Sequence, residues 1–296
     1  MRRRPVCAII LACGLALEGS ASPTLPGGYL GSFIWRSEDP RMGGMSAIEL
    51  DRNGSGFTAL SDRGGWTTGR LIRDDAGRIT GIDAAPVRLL RGKGRAPLAA
   101  ERSDSEGLAI APDGTAYVSL EGVARVLRYA RLDGPAENLP IPPEFRRLQR
   151  NSALEALAIG PDGALYTLPE RSGRENRPFP VFRFRNGAWS QPFTIPRLGS
   201  FLPVGADFGP DGRLYLLERQ FRGLMGFAAR VRRFEIAGDS ISAGEVLLET
   251  RPGQHDNLEG MAVWRDGGGD IRLTLIADDN FRFFQTTEIV EYSIPG

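Results

Sequence analysis

One short pattern recurs along this chain: an apolar run, a Pro-Asp-Gly turn and a second apolar run. The three clear copies place the turn at residues 112–114, 161–163 and 210–212, and looser copies turn at 53–54 and 266–267. The clear turns are 49 residues apart, and the outer turns lie 60 residues before them and 55 residues after them. A period of this length indicates a repeat architecture.

Each copy predicts a β-hairpin. In the turn, Pro presets φ, Asp bonds the local backbone and Gly adopts the left-handed conformation. Runs that alternate Arg with apolar residues follow the hairpins, as at 124–129 and 229–236, and this period of two is typical of half-exposed strands. Four strands per repeat and five repeats predict an all-β chain. The predicted fold is a β-propeller of five four-stranded antiparallel blades, with the first hairpin of each blade nearest the axis.

The ends of the repeat array predict how the ring closes. The last repeat runs out of chain after three strands, so we expect residues 28–35 to supply its outer strand. Six blades is the alternative, if the long interval 63–103 contains a degenerate blade. Residues 23–296 then form a single propeller domain.

The first 22 residues are typical of a secretory signal peptide. Three arginines precede a short apolar segment, and small residues follow it. We therefore expect a periplasmic or secreted protein with no transmembrane segment after signal removal. The alternative is a lipoprotein with a lipid anchor at Cys13. Cys7 and Cys13 both lie in this segment, so neither disulfides nor thiolates carry the function of the mature chain.

The charge of the mature chain excludes some classes of partner. Removal of residues 1–22 changes the formal net charge from +1 to −1. A nearly neutral chain argues against general binding of nucleic acids or anionic membranes. Zinc is also disfavoured, because the mature chain has one histidine and no cysteine.

Acidic residues recur where the first strand of a hairpin begins and where its second strand ends. Because the two strands are antiparallel, both places lie opposite the turn, and Glu121, Glu170 and Glu218 end second strands. The sequence therefore predicts a carboxylate-lined face that suits Ca²⁺, which takes several oxygen ligands in irregular geometry. The predicted metal ligands are Asp62, Glu106, Glu155, Asp207 and Glu259. The alternative is that these carboxylates bond backbone amides and lock neighbouring blades.

The same face is predicted to hold the reacting groups. Asp278 and Asp279 are candidate catalytic residues, because adjacent carboxylates repel each other unless a cation or an arginine neutralises them. His255 is a candidate general base or cation ligand, with an unused loop histidine as the alternative. A nucleophilic serine is disfavoured, since no Gly-x-Ser-x-Gly elbow is present. The candidate substrate-binding residues are Arg63, Arg171, Arg219 and Asn280. Ion pairing with neighbouring carboxylates is the alternative role of the arginines.

Several segments in this order resemble a known family. They are Leu-Ser-Asp-Arg at 60–63, Asp-Ser-Glu-Gly at 104–107, Glu-Ala-Leu-Ala at 155–158, Leu-Glu-Arg at 217–219, Asn-Leu-Glu-Gly at 257–260, Ala-Asp-Asp-Asn-Phe at 277–281 and Gln-Thr-Thr at 285–287. From residue 28 to 293 the chain resembles the phytase-like family of secreted bacterial proteins, described as having esterase-like activity of phytase.

The resemblance implies hydrolysis of a phosphoester or another ester, and we expect a calcium-assisted hydrolase of a small-molecule substrate of that kind. The alternative is a non-enzymatic exported propeller that binds a ligand or a protein partner at the same face.

Overall fold

The computed structural model describes residues 27–94 and 96–295. The expected signal peptide at 1–22 and the alternative lipid site at Cys13 lie outside these residues. The described chain is all-β apart from three short 3-10 helices, at Ala100–Arg102, Phe145–Arg147 and Gly223–Met225. No helix in these two ranges is long and apolar enough to span a bilayer.

The strands are numbered in chain order. They are β1 (Gly28–Ile34), β2 (Met45–Leu50), β3 (Gly56–Ser61), β4 (Gly65–Arg73), β5 (Ile79–Ala84), β6 (Arg88–Leu89), β7 (Ser105–Ile110), β8 (Ala116–Leu120), β9 (Arg125–Tyr129), β10 (Ala136–Asn138), β11 (Ala156–Ile159), β12 (Leu165–Leu168), β13 (Phe179–Arg185), β14 (Ala188–Ile195), β15 (Leu202–Phe208), β16 (Leu214–Phe221), β17 (Phe227–Phe234), β18 (Ile236–Ala237), β19 (Ser240–Ile241), β20 (Glu245–Glu249), β21 (Asn257–Arg265), β22 (Ile271–Asp278) and β23 (Glu288–Ile294).

Five antiparallel sheets form the blades of a propeller. From the inner strand outwards, blade 1 is β2-β3-β4-β5, blade 2 is β7-β8-β9-β10, blade 3 is β11-β12-β13-β14 and blade 4 is β15-β16-β17-β20. Blade 5 is β21-β22-β23-β1. The short strand β6 pairs with β4, and β18 and β19 form a hairpin between β17 and β20. The predicted five-bladed propeller is confirmed, because the interval 63–103 holds the outer strands of blade 1 rather than a sixth blade.

The ring closes by pairing of the two ends of the domain. β1 runs antiparallel to β23, from Gly28 opposite Ser293 to Ile34 opposite Glu288. The expectation that residues 28–35 supply the outer strand of the last blade is therefore confirmed. Backbone hydrogen bonds between the two ends complete blade 5, so closure does not depend on side chains alone.

Apolar side chains fill the spaces between neighbouring blades. One cluster joins Leu60 of blade 1 to Leu108 and Leu120 of blade 2, and others join blade 3 to blade 4 and blade 4 to blade 5. A single four-stranded sheet cannot bury its apolar faces, whereas stacked blades bury them against each other. The core therefore lies between the blades and leaves the axis to the inner strands.

The inner strands approach each other closely around the axis. A Cβ atom at Gly107 would lie 2.6 Å from Cβ of Leu157, and one at Gly260 would lie 2.7 Å from Cα of Ala47, so only glycine fits at both positions. The cavity along the axis at this level has a volume of about 10 Å³, about the room that one water molecule needs. The two ends of the axis are thus separated by closely packed inner strands.

Candidate functional site

One position of each inner strand faces the axis at the end opposite the hairpin turns. In β2, β7, β15 and β21 this position lies at a β-bulge, which re-aims a side chain. In blade 3 the matching residue immediately precedes β11. The residues at this position are Ser46, Glu106, Glu155, Val204 and Glu259. Three of the five blades therefore place a glutamate at the axis.

We call this end of the axis the mouth. Its charged side chains come from the five axial positions, from the ends of second strands and from the segments beside them, and their charges act on one another. They are Asp62, Asp104, Glu106, Glu121, Glu155, Glu170, Arg219, Glu259 and Asp278. Eight carboxylates thus share the mouth with one arginine.

The carboxylates of Asp104, Glu106 and Glu121 form the tightest cluster of the mouth. Each offers an oxygen atom, and these oxygens all lie within 4.8 Å of one another. Oxygen ligands of Ca²⁺ lie about 2.3–2.6 Å from the ion, so ligands of one ion lie within about 5 Å of each other. The cluster therefore has the donor type and the spacing that a hard cation requires.

The mouth places these carboxylates in an unfavourable electrostatic environment. Burial raises the pKa of Glu106 well above its usual range, and the negative charges of Glu259 and Glu121 raise it further. Burial and the charge of Glu106 likewise raise the pKa of Glu155. Burial raises the pKa of Glu121 to about 7, although a hydrogen bond with Glu155 lowers it. A bound cation would relieve this repulsion.

Arg219 neutralises one side of the mouth. Its guanidinium group bonds Glu259, Asn257 Oδ1 at 2.8 Å and Glu170 Oε1 at 2.9 Å. Burial disfavours its charged form, but the charges of Glu259 and Glu170 outweigh burial and raise the pKa of Arg219. Arg219 was predicted to bind substrate, whereas the structure shows the alternative role of ion pairing.

Asp278 also lies in the mouth, and it is almost fully buried. Burial and the charge of Glu259 raise the pKa of Asp278 to about 8. Asp278 and Glu259 thus form an interacting pair of carboxyl groups, and Asp278 in turn lowers the pKa of Glu259. Because the pKa of Asp278 is raised, this pair can hold a proton near neutral pH.

Asp279, the adjacent candidate, has a different environment. Its Oδ1 accepts hydrogen bonds from the backbone N–H of Gly44 at 2.9 Å and of Phe281 at 3.0 Å, and its Oδ2 accepts one from Thr287 Oγ1 at 3.0 Å. Backbone amides and a hydroxyl group, rather than a cation, satisfy this carboxylate. Asp279 therefore fixes the loop between β22 and β23, and its predicted catalytic role has no support from these contacts.

Asp207 does not lie in the mouth. It pairs with Tyr215 next to the hairpin turn of blade 4, at the opposite end of the axis. Its carboxylate accepts hydrogen bonds from the backbone N–H groups of Phe208 and Val263, both at 2.7 Å. The prediction that Asp207 joins the metal ligands at the mouth is wrong in its placement. Asp207 instead has the alternative role, because its carboxylate locks blade 4 to blade 5 through the backbone amide of Val263.

Glu218 was also expected on the carboxylate face, and this expectation is wrong. Its side chain is fully buried inside blade 4 and forms salt bridges with Arg230 at 2.8 Å and with Arg232 at 2.6 Å. The next residue, Arg219, points to the opposite side of β16 because side chains alternate along a strand. The mouth therefore receives the arginine of this strand instead of its glutamate.

A second pair of acids, partly buried, lies at the turn end of the axis. Burial raises the pKa of Asp207 to about 7. Burial and the negative charge of Asp207 raise the pKa of Glu49 on β2. Blades 1 and 4 are not neighbours in the ring, so these two side chains interact across the axis. The backbone N–H of Ile110 donates to Glu49 at 3.3 Å.

Replacement of Glu49 by Gln is expected to stabilise the protein at high pH only. Because the folded pKa of Glu49 is raised, the folded state binds more protons than the unfolded state between the two pKa values, and stability falls as pH rises through this window. Glu49→Gln should therefore match the wild type at pH 5 and exceed it at pH 8.5 by about 1–2 kcal/mol. Thermal melts from pH 5 to 9 measure this difference. An exposed control, Glu144→Gln, should leave the pH profile unchanged, and equal slopes for all three proteins would contradict the prediction.

His255 lies in a different pocket from the acidic cluster. Its side chain is buried, with Nε2 2.8 Å from the hydroxyl of Tyr292 and Nδ1 3.5 Å from Glu288 Oε1. Tyr29 packs against its ring. These contacts face blade 5 and its closing strand, so His255 is poorly placed to act as the predicted general base of the mouth.

The remaining predicted substrate-binding residues lie at the rim of the mouth. Arg63 is exposed, and its guanidinium group stacks on the ring of Phe281 at 3.5 Å. Arg171 is exposed and pairs with Glu170 at 3.2 Å. Asn280 adopts a left-handed backbone conformation with φ of 49°, and its N–H donates to Asp278 at 2.6 Å. Of these three, Arg63 has the guanidinium group most available to an anionic ligand, because it forms no salt bridge within the described residues.

Two residues of the tightest cluster, Asp104 and Glu121, were not among the predicted ligands. Burial raises the pKa of Asp62, which was predicted, to about 6, and the charge of Arg63 opposes this effect. Glu121 was expected on the carboxylate face, because it ends a second strand, but it was not among the predicted ligands. Asp104 had a weaker signal, because it stands two residues before Glu106 and just before β7.

Fold and site together define a five-bladed propeller with a cluster of acidic side chains at one end of its axis. The chain belongs to the phytase-like family, described by esterase-like activity of phytase, whose sequence signature matches residues 40–281. Curated protein sequences give no match.

Solved structures with the same fold have very different sequences. Regucalcin, a calcium-binding protein from Agrobacterium tumefaciens, aligns with a TM-score of 0.51 and 11% identity over 91% of this chain and 96% of that one. An α-L-arabinofuranosidase from Podospora anserina aligns with a TM-score of 0.50 and 14% identity over 92% of this chain and 98% of that one. At such identities the likeness shows the fold alone.

Proposed function

We propose that this protein is an exported, calcium-assisted hydrolase of phosphoesters or other esters that acts at the mouth. The observation that carries the proposal is the cluster of Asp104, Glu106 and Glu121 at the axis of a phytase-like propeller. The family description supports the reaction class. The fold shared with a calcium-binding protein agrees with the choice of ion. The segment 1–22 supports export to the periplasm or beyond.

The side chains of the mouth divide the proposed work among them. Asp104, Glu106 and Glu121 would hold the cation, with Glu155 and Asp62 beside them. A Ca²⁺ ion held there would supply the positive charge that polarises a carbonyl or phosphoryl oxygen.

The proton and the anionic group of the substrate need separate residues. Asp278, whose pKa is raised by burial and by the charge of Glu259, is the group assigned to proton transfer to the leaving oxygen. Arg63 at the rim is assigned to the anionic or polar group of the substrate. Glu170 and Glu259 neutralise Arg219, so that arginine positions Glu259 and does not bind substrate.

The balance of charge limits the substrate class. Eight carboxylates and one paired arginine repel a highly charged polyphosphate, and one calcium ion does not offset this repulsion. We therefore expect small monoesters to be better substrates than inositol hexakisphosphate.

A substrate panel tests the proposed function. The mature protein is expected to hydrolyse p-nitrophenyl phosphate or p-nitrophenyl acetate with calcium, and to lose at least about 90% of this turnover when a chelator removes the ion. Thermal melting under the same conditions reports whether calcium is bound. A calcium-dependent melting temperature with no turnover on any ester would contradict the hydrolase and leave the ligand-binding propeller.

A further inference from the structure

A large groove opens beside the mouth, between blades 4 and 5. It has a volume of about 870 Å³, within the range of pockets that bind small molecules. Its walls are the loop between β16 and β17, residues 222–226, and the loop between β22 and β23, residues 279–287. The buried side chain of His255 lies in its wall. We call this space the groove.

The groove gathers exposed apolar side chains. Six of the twelve large apolar residues that are exposed in the described chain line the groove or stand on the two loops that form it. They are Ile34, Phe221, Leu224, Met225, Phe283 and Phe284. Exposed apolar residues scattered singly need no explanation, whereas a concentration of this kind marks a binding surface.

The groove adjoins the mouth. Phe227 in its wall lies beneath the guanidinium group of Arg219, 5.7 Å from the ring centre, and Arg219 is the arginine that pairs with Glu170 and Glu259. On the other side, Asn280 lines the groove and its backbone N–H donates to Asp278 in the mouth. A ligand of moderate size can therefore place one end in the groove and the other at the carboxylates.

The two loops are held in place by hydrogen bonds. Asp256 accepts bonds from Gln285 Nε2 at 2.9 Å and from the N–H of Thr286 at 2.8 Å. Across the groove, the N–H of Arg222 donates to Gly226 O at 2.8 Å, and that of Gly253 donates to Phe227 O at 2.8 Å. The apolar side chains therefore stand on an ordered backbone, as in a preformed ligand site.

These observations name a class of substrate. We propose that the groove binds the apolar acyl or aromatic group of an amphiphilic ester or phosphoester whose reacting bond lies at the mouth. The inference rests on the proposed function for the reacting bond. Occupancy of the groove itself requires neither calcium nor turnover.

Binding of a neutral apolar probe tests the groove directly. N-phenyl-1-naphthylamine should bind the wild-type protein saturably with increased fluorescence, and octylphosphonate should displace it at a concentration about 50-fold or more below that of methylphosphonate. The double variant Leu224→Ser/Phe284→Ser should bind the probe about 10-fold or more weakly. Both side chains are exposed, so the variant should melt like the wild type. The control is Val123→Ser, an exposed apolar residue away from the groove, which should bind normally.

Failure of this inference and failure of the proposed function give different results. A protein without turnover that binds the probe in the groove would contradict the hydrolase and keep the groove as a ligand site. Two results would contradict the proposal that the groove binds the apolar group of the substrate. One is an active enzyme with equal kcat/KM for p-nitrophenyl acetate and p-nitrophenyl octanoate. The other is equal probe binding by the double variant and the wild type. A third result would also contradict the groove as a substrate site. If the wild type sediments with phosphatidylglycerol vesicles, the double variant does not, and the wild type shows no saturable probe binding, the apolar side chains form a membrane-binding surface.

Discussion

Glu106→Gln is expected to raise the melting temperature of the calcium-free protein and to abolish the rise that calcium produces in the wild type. Burial and the charges of Glu259 and Glu121 raise the pKa of Glu106. In the absence of a cation, this carboxyl group destabilises the fold at pH 8, because the folded state must keep either a disfavoured charge or an extra proton, and a neutral amide of the same shape relieves this by about 1–3 kcal/mol.

With calcium, the wild type should have a higher melting temperature than Glu106→Gln. A ligand at 100 times its Kd stabilises the folded state by about 2.7 kcal/mol. Loss of one of three carboxylate ligands should weaken calcium binding by about 100-fold or more, which removes most of that gain. Turnover at a fixed calcium concentration should fall by a similar factor. Melting temperatures with chelator and with calcium, together with initial rates, measure all three quantities.

The matched control is Glu137→Gln, on the outer strand of the same blade. Glu137 is exposed and pairs with Arg128 at 2.9 Å, and such surface pairs contribute about 0–1 kcal/mol. This variant should keep the calcium-induced rise and the turnover. If Glu106→Gln also keeps the full rise, the cation binds elsewhere and the cluster of Asp104, Glu106 and Glu121 is not its site.

The fold was predictable because its signal is repeated. Each Pro-Asp-Gly turn is weak by itself, but turns at 49-residue intervals with four strands between them match few architectures. Because the last repeat contains only three strands, residues 28–35 were predicted to form its fourth strand, and the pairing of β1 with β23 confirms this. The number of blades was harder to fix, because the connection from β5 of blade 1 to the next blade is longer than the others and contains an extra short strand, β6.

The position of an acidic residue along the axis could be predicted only from the number of residues between it and the Pro-Asp-Gly turn of its blade. Glu106 and Glu155 both lie six residues before the Pro of their turns, at the mouth. Asp207 lies three residues before Pro210, and Val204 occupies the matching sixth position. A bulge between Pro203 and Gly205 shifts the register, so that Val204 and Asp207 both face the axis at different depths. Gly205 follows Val204 as Gly107 follows Glu106, and a glycine inside a strand often marks a bulge.

Other details depend on tertiary contacts that no local pattern contains. Asp279 looked reactive because it follows Asp278, yet the N–H of Gly44, more than 200 residues away in the chain, satisfies it. His255 looked close to the acidic face in sequence, but Tyr292 from the last strand fixes its ring in the wall of the groove. The groove itself was not predicted, because its two walls come from different blades.

Glu218→Gln is expected to destabilise the protein by about 3–5 kcal/mol, because it leaves the buried Arg232 without a counter-charge and leaves Arg230 with only the half-exposed Glu249, 3.8 Å away. Glu218 is fully buried, and its two oxygens receive bonds from Arg230 Nε at 2.8 Å, Arg232 Nε at 2.8 Å and Arg232 Nη2 at 2.6 Å. Arg230 Nη2 and Arg232 Nη1 bond the neutral backbone oxygens Leu198 O at 2.7 Å and Pro196 O at 3.1 Å, which cannot replace the carboxylate. The melting temperature should fall by about 6–15 °C.

A surface pair in the same blade provides the control. Glu245 pairs with Arg233 at 2.8 Å, and its side chain is 55% exposed, so Glu245→Gln should change stability by about 1 kcal/mol or less. Equal melting temperatures for the two variants would contradict the prediction, since carbonyl groups and water would then suffice for the arginines. The triple variant Glu218→Gln/Arg230→Met/Arg232→Met should recover much of the loss, because it removes the unpaired charges themselves. Calcium binding should persist in Glu218→Gln well below its melting temperature, because the adjacent Arg219 points to the mouth and not into this network.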